Sequence, residues 1–98
     1  MGDESNGFVD SNGPDDIVIT VRYFAAARAA AGREEENVTV SAGITVAELV
    51  EILGERDSDL ARVLQRCSYL CDSIAIRDTR TVIESGQILD VLPPFAGG

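Results

Sequence analysis

Between residues 17 and 92 the hydrophobic positions repeat with two different spacings, and the switches between them divide the chain into elements. Ile17-Val18-Ile19-Thr20-Val21-Arg22-Tyr23-Phe24 is rich in β-branched and aromatic residues and predicts a strand. Ile17, Ile19, Val21 and Tyr23 fall on the core face, and Val18, Thr20, Arg22 and Phe24 share the other. Phe24 is out of place there, a large aromatic ending a row that has turned polar. Ala25 to Ala31 predicts a short helix stopped by Gly32. Arg33 to Val40, acidic at its start, predicts a second strand that returns along the first, with Gly43 as its breaker. Thr45 and Glu48 have the spacing of a capping box. Val46, Leu49, Val50 and Leu53 then form the stripe of an amphipathic helix, which Gly54 closes. Asp57 or Ser58 caps a second helix, where Leu60, Val63, Leu64 and Cys67 repeat the stripe. Both stripes are assigned to the core.

Tyr69 to Arg77 predicts a third strand, with Ile74 and Ile76 on either side of Ala75. Asp78-Thr79-Arg80 is a turn, Thr81-Val82-Ile83 a short edge strand and Glu84 to Gln87 another turn. Ile88 to Leu92 is the last strand, with Leu89 and Val91 inward and Asp90 and Leu92 outward. This order predicts an α+β fold, a mixed sheet of four to five strands with both helices packed on one face. The second face is left open. Phe24 and Leu92 lie at strand ends on it, with Ile76 as a third member, and an exposed apolar patch of this kind marks a partner surface; the alternative is that one or more of them fill a gap in the core.

Ninety-eight residues with 45% hydrophobic content make one domain with an ample core. Residues 1–16 are polar and turn-rich, with five acids and no base, and are expected to be a flexible leader outside a domain at 17–92. The net charge of −9 argues against binding nucleic acid and favours a basic protein partner. No apolar run reaches membrane-spanning length and no secretory leader is visible, so no membrane contact is expected. Two cysteines, Cys67 and Cys71, without any histidine cannot complete a four-ligand zinc site, so no metal is expected. They read as structural, reduced thiols of a cytoplasmic protein. The chain has eight arginines and no lysine. That is either a plain compositional preference or a way to keep a reactive terminus from its own side-chain amines.

The chemistry is expected at the end. Pro93 and Pro94 follow the last strand directly, and neither can extend its ladder of hydrogen bonds. Residues 93–98, Pro-Pro-Phe-Ala-Gly-Gly, should leave as an extended tail reaching about 15–19 Å. Gly97 and Gly98 carry no side chains and suit a narrow channel. The group that arrives is the Gly98 carboxylate, a poor electrophile until it is activated, for example as an acyl-adenylate.

The strand Val21 to Arg28 and the ending Leu92-Pro93-Pro94-Phe95-Ala96-Gly97-Gly98 resemble the small, sulfur-carrying subunit of molybdopterin synthase. The resemblance covers about residues 17 to 98 and implies a ubiquitin-like β-grasp fold. It implies a chain that is not an enzyme on its own and binds no cofactor itself. A ubiquitin-activating-type enzyme would adenylate Gly98 with ATP. A sulfur donor protein would convert it to a thiocarboxylate, leaving 1-thioglycine at the terminus. The large synthase subunit would take in the tail and pass the sulfur to the pterin, in a heterotetramer. In that family the patch matched by Phe24, Ile76 and Leu92 meets partners, as does the tail matched by Pro93, Pro94, Phe95 and Ala96. The acidic leader is extra to the family pattern, and Ser85-Gly86-Gln87 stands where Asp-Gly-Asp is frequent. Sulfur transfer for thiamine, cysteine or tRNA, a ubiquitin-like modifier, and an inert interaction module remain alternatives, because one fold hosts them all.

Overall fold

The computed structural model describes residues 15–94. The first fourteen residues of the acidic leader, and Phe95, Ala96, Gly97 and Gly98 of the tail, lie outside the described residues. The elements run β1 (Asp16–Tyr23), α1 (Ala25–Ala31), β2 (Glu35–Ser41), α2 (Val46–Glu55), α3 (Ser58–Leu64), β3 (Ser68–Cys71), β4 (Ile74–Ala75) and β5 (Ile88–Leu92). The strands form one mixed sheet in the order β2-β1-β5-β3-β4. The fold is a ubiquitin-like β-grasp, as expected.

The two central strands, β1 and β5, come from opposite ends of the fold and run parallel, with Thr20 beside Ile88 and Tyr23 beside Val91. All other pairings are antiparallel. The alternation in β1 places Ile19, Val21 and Tyr23 in the core, facing Leu49 and Leu53 of α2 and Leu60 and Leu64 of α3 across one apolar cluster with Leu89 and Val91. Thr45 caps α2 in a full capping box: its hydroxyl accepts the Glu48 N–H, and the Glu48 carboxylate accepts the Thr45 N–H. Asp57 is the cap of α3, accepting from the Asp59 and Leu60 N–H groups. Gly32 ends α1 with φ at 78°, a left-handed position that suits glycine.

Three expectations are corrected. Gly54 does not close α2, which runs on to Glu55. A Cβ at Gly54 would lie 3.1 Å from the Cβ of Ala61, so this glycine lets α3 pack closely on α2. The expected strand from Tyr69 to Arg77 is a hairpin of β3 and β4, turned at Asp72 and Ser73, both at positive φ. That is the backbone hand of a tight two-residue hairpin turn. The Asp72 carboxylate fixes the turn by accepting the Ile88 N–H at 3.0 Å and the Gln87 side-chain amide at 3.2 Å. Finally, Thr81-Val82-Ile83 is not an edge strand of the sheet. It pairs with the loop before α2 through an isolated bridge from Val82 to Thr45, and Ile83 plugs the core.

Candidate functional site: the root of the C-terminal tail

The tail leaves from the end of β5, and the neighbours of that end are set by strand register. Phe24 and Leu92 each follow the last pair of the central strands, Tyr23 and Val91. The Phe24 N–H donates to Val91 O at 3.2 Å, which holds the two chain segments side by side. Phe24 is 37% exposed and Leu92 half-buried, both on the open face. Ser68 pairs with Leu92, and Leu70 pairs with Asp90 on one side and Ala75 on the other, so these residues extend the same face.

Ile76 does not belong there. Its N–H donates to Tyr69 O at 2.9 Å, which continues the hairpin register one step past the Leu70–Ala75 pair. Tyr69 is buried in the core, and Ile76 packs against the same cluster. In a continuous strand Leu70 and Ile76 would share a face. The two-residue turn reverses the parity, and Leu70 with Ala75 takes the place expected for Ile76.

Asp90, expected to point out, is on the open face but only 5% exposed. Arg22 covers it with a bidentate pair, Nε to Oδ1 at 2.7 Å and Nη2 to Oδ2 at 3.2 Å. The same guanidinium lies 5.7 Å from the centre of the Phe24 ring. Asp90 thus holds Arg22 and Arg22 backs Phe24, an ordered chain of contacts ending at the tail root. This pair was missed in the strand pattern because each partner looked like an ordinary solvent-facing charge. The sign alternation across β1 and β5 becomes visible only with their parallel register.

On the helical side Pro93 and Pro94 form one wall of a groove of about 390 Å³, with Ala26 of α1 and Arg62, Val63 and Arg66 from α3 and the turn after it. The cysteines show no activated chemistry. Burial pushes the Cys67 thiol up, and burial followed by the charge of Asp72 does the same for Cys71. Cys67 lies just past the end of α3 with its sulfur 3.3 Å from Val63 O. Both cysteines are unpaired thiols. Among the described residues no cluster of histidine, cysteine, aspartate or glutamate could hold a metal ion, and no helix is long and apolar enough to cross a membrane.

A comparison with curated protein sequences finds no match. Among solved structures, the solution structure of the HVO 2177 protein of Haloferax volcanii is similar with a TM-score of 0.79 at 21% identity, covering 98% of this chain and 100% of that one. SAMP1 of Haloferax volcanii gives a TM-score of 0.72 at 22% identity over 83% of this chain and 99% of its own. A chain in the complex of subunits 1 and 2 of the molybdopterin-converting factor from Helicobacter pylori 26695 gives 0.60 at 27% identity, over 84% and 100%. The ThiS family model matches residues 21–98, from the middle of β1 through both terminal glycines. With four-fifths of its length inside that match, this β-grasp chain belongs to the ThiS family.

Proposed function

We propose that the chain is a sulfur carrier whose reactive group is the Gly98 carboxylate, and that it serves as the small subunit of a molybdopterin synthase. The observation that carries the reading is the family match running through the Pro-Pro-x-x-Gly-Gly ending, on a tail that leaves beside the apolar patch of Phe24, Leu92 and Leu70. An adenylating partner enzyme attacks ATP with the Gly98 carboxylate, forming a mixed anhydride and releasing pyrophosphate. Sulfide-level sulfur from a donor protein then displaces AMP. The carbonyl C–O bond to the phosphate breaks, a C–S bond forms, and the carboxylate becomes the thiocarboxylate of 1-thioglycine without any change in oxidation state. The large subunit receives the tail, and the sulfur passes to the pterin precursor of the molybdenum cofactor. The chain supplies the carried atom and the docking surface, and its partners supply the catalysis. The similarity to the Helicobacter pylori complex supports a large-subunit partner.

A second reading, a ubiquitin-like modifier or a carrier for another sulfur pathway, is favoured by the likeness to SAMP1, the small archaeal modifier protein 1, which superposes with a higher TM-score than the molybdopterin-converting factor chain. Both readings require the terminal carboxylate. Deleting Gly98 is expected to abolish sulfur loading while leaving the thermal midpoint unchanged, measured by intact mass and circular dichroism. A truncated chain that still takes up sulfur would exclude Gly98 as the acceptor.

A further inference from the structure

The groove on the helical side of the tail root has an unusual charge for this molecule. The chain carries −9, and five of its arginines lie against carboxylates: Arg22, Arg28, Arg33, Arg56 and Arg80. Among the described residues Arg62, Arg66 and Arg77 have no such partner, and the first two line this groove together. They stand four residues apart across the end of α3, and both are exposed. The surface between them is mostly apolar, made by Val63, Ala26, Pro93 and Pro94, with Gln65 as a polar member. A cation near a helix C-terminus is favourable by itself, which accounts for Arg62 in the last turn. It does not account for a second guanidinium beyond the helix, nor for the apolar floor shared with the tail.

We propose that this groove docks an acidic segment of the enzyme that activates the tail. Its carboxylates pair with the two guanidinium forks, and an aliphatic or aromatic side chain between them lies on Val63 and the proline rings. Charge complementarity selects the occupant: two forks matched to carboxylate geometry, side by side, in a chain otherwise rich in acids. The site is separate from the open sheet face, so the tail root is gripped from both sides of the sheet.

The proposal rests on the carrier reading, and one assay separates the two. The full chain is incubated with its adenylating enzyme and ATP, and pyrophosphate release is followed against carrier concentration. For Arg62→Glu with Arg66→Glu, the KM for the carrier is expected to rise about tenfold or more with kcat unchanged, since the charges act in encounter and docking. Arg62→Lys with Arg66→Lys should restore most of the affinity, and the wild-type KM should rise with added salt more than that of the Glu variant. A Glu variant activated with the wild-type KM, while folded by circular dichroism, overturns the docking site and leaves the carrier reading intact. Wild-type chain that releases no pyrophosphate overturns both.

Discussion

Phe24 is the residue at which the fold and the tail meet. Its backbone ties β1 to Val91, and its ring rests by the Arg22 guanidinium that Asp90 holds. Phe24 is 37% exposed, and the Arg22 guanidinium covers part of the rest, so replacing Phe24 uncovers the margin of the core and not its centre. Phe24 also occupies the N-cap of α1 without a side-chain cap bond, a position where aspartate is favoured. The new cap offsets part of the lost burial, and Phe24→Asp is expected to cost no more than about 1–2 kcal/mol. In the proposed complex it should weaken binding to a large subunit by at least about tenfold, read by titration calorimetry alongside a thermal melt. Unfolding of the variant would show that Phe24 belongs to the core instead. That Phe24 and Leu92 lie at strand ends on the open face was legible from alternation alone. The Arg22–Asp90 pair was not, since it needs the parallel register of two strands far apart in sequence.

At the scale of elements the helices were the most legible part. The capping box of Thr45 and Glu48, the Asp57 cap and both apolar stripes follow from side-chain chemistry within one or two turns, and all are present except that Cys67, expected on the second stripe, falls past the end of α3. The β3–β4 hairpin was not legible because its turn is Asp72-Ser73, without the glycine or asparagine that signals such turns. Its conformation is held by bonds from Asp72 to residues 87 and 88, which local pattern does not reveal. Missing the turn reversed the face assigned to Ile76. Gly54 was misread for a related reason: glycine signals both a helix end and a close helix contact, and only the position of Ala61 tells them apart. Two substitutions test the second role. Gly54→Ala gains helix propensity of about 0.5–1 kcal/mol against one tight contact, and should stay near the parent stability. Gly54→Leu must separate α2 from α3 and should cost about 1–3 kcal/mol in urea unfolding. Equal stability of the Leu variant would rule out the close-packing role.

The whole molecule has a window of pH stability bounded by two buried networks. Burial by itself would push the Glu36 carboxyl up, but the Tyr23 hydroxyl and the Arg56 guanidinium donate to it, and the charges of Arg56 and Arg33 add to this. The result is a carboxyl held below its ordinary range. A carboxyl depressed on folding stabilises above its unfolded value of about 4.3, and that stability is lost as pH falls through the lower folded value. Tyr69 has the opposite sign. Burial, and then the charge of Cys67, push it up to about 12, and its hydroxyl donates to Leu64 O at 2.8 Å. The unfolded tyrosine ionises near 10, so stability is full below about pH 10 and falls from there towards pH 12. Thermal melts across pH should show both edges, with Glu36→Gln flattening the acid one and Tyr69→Phe flattening part of the alkaline one, since burial and the bond to Glu36 push Tyr23 up as well. An unshifted edge in either variant would assign it to other groups. The most direct test of the carrier role is the intact mass of the full chain after incubation with an active adenylating enzyme, ATP and a sulfur source. The carrier reading predicts a gain equal to one oxygen replaced by sulfur, mapped to Gly98. An unchanged mass beside a verified active partner would contradict it.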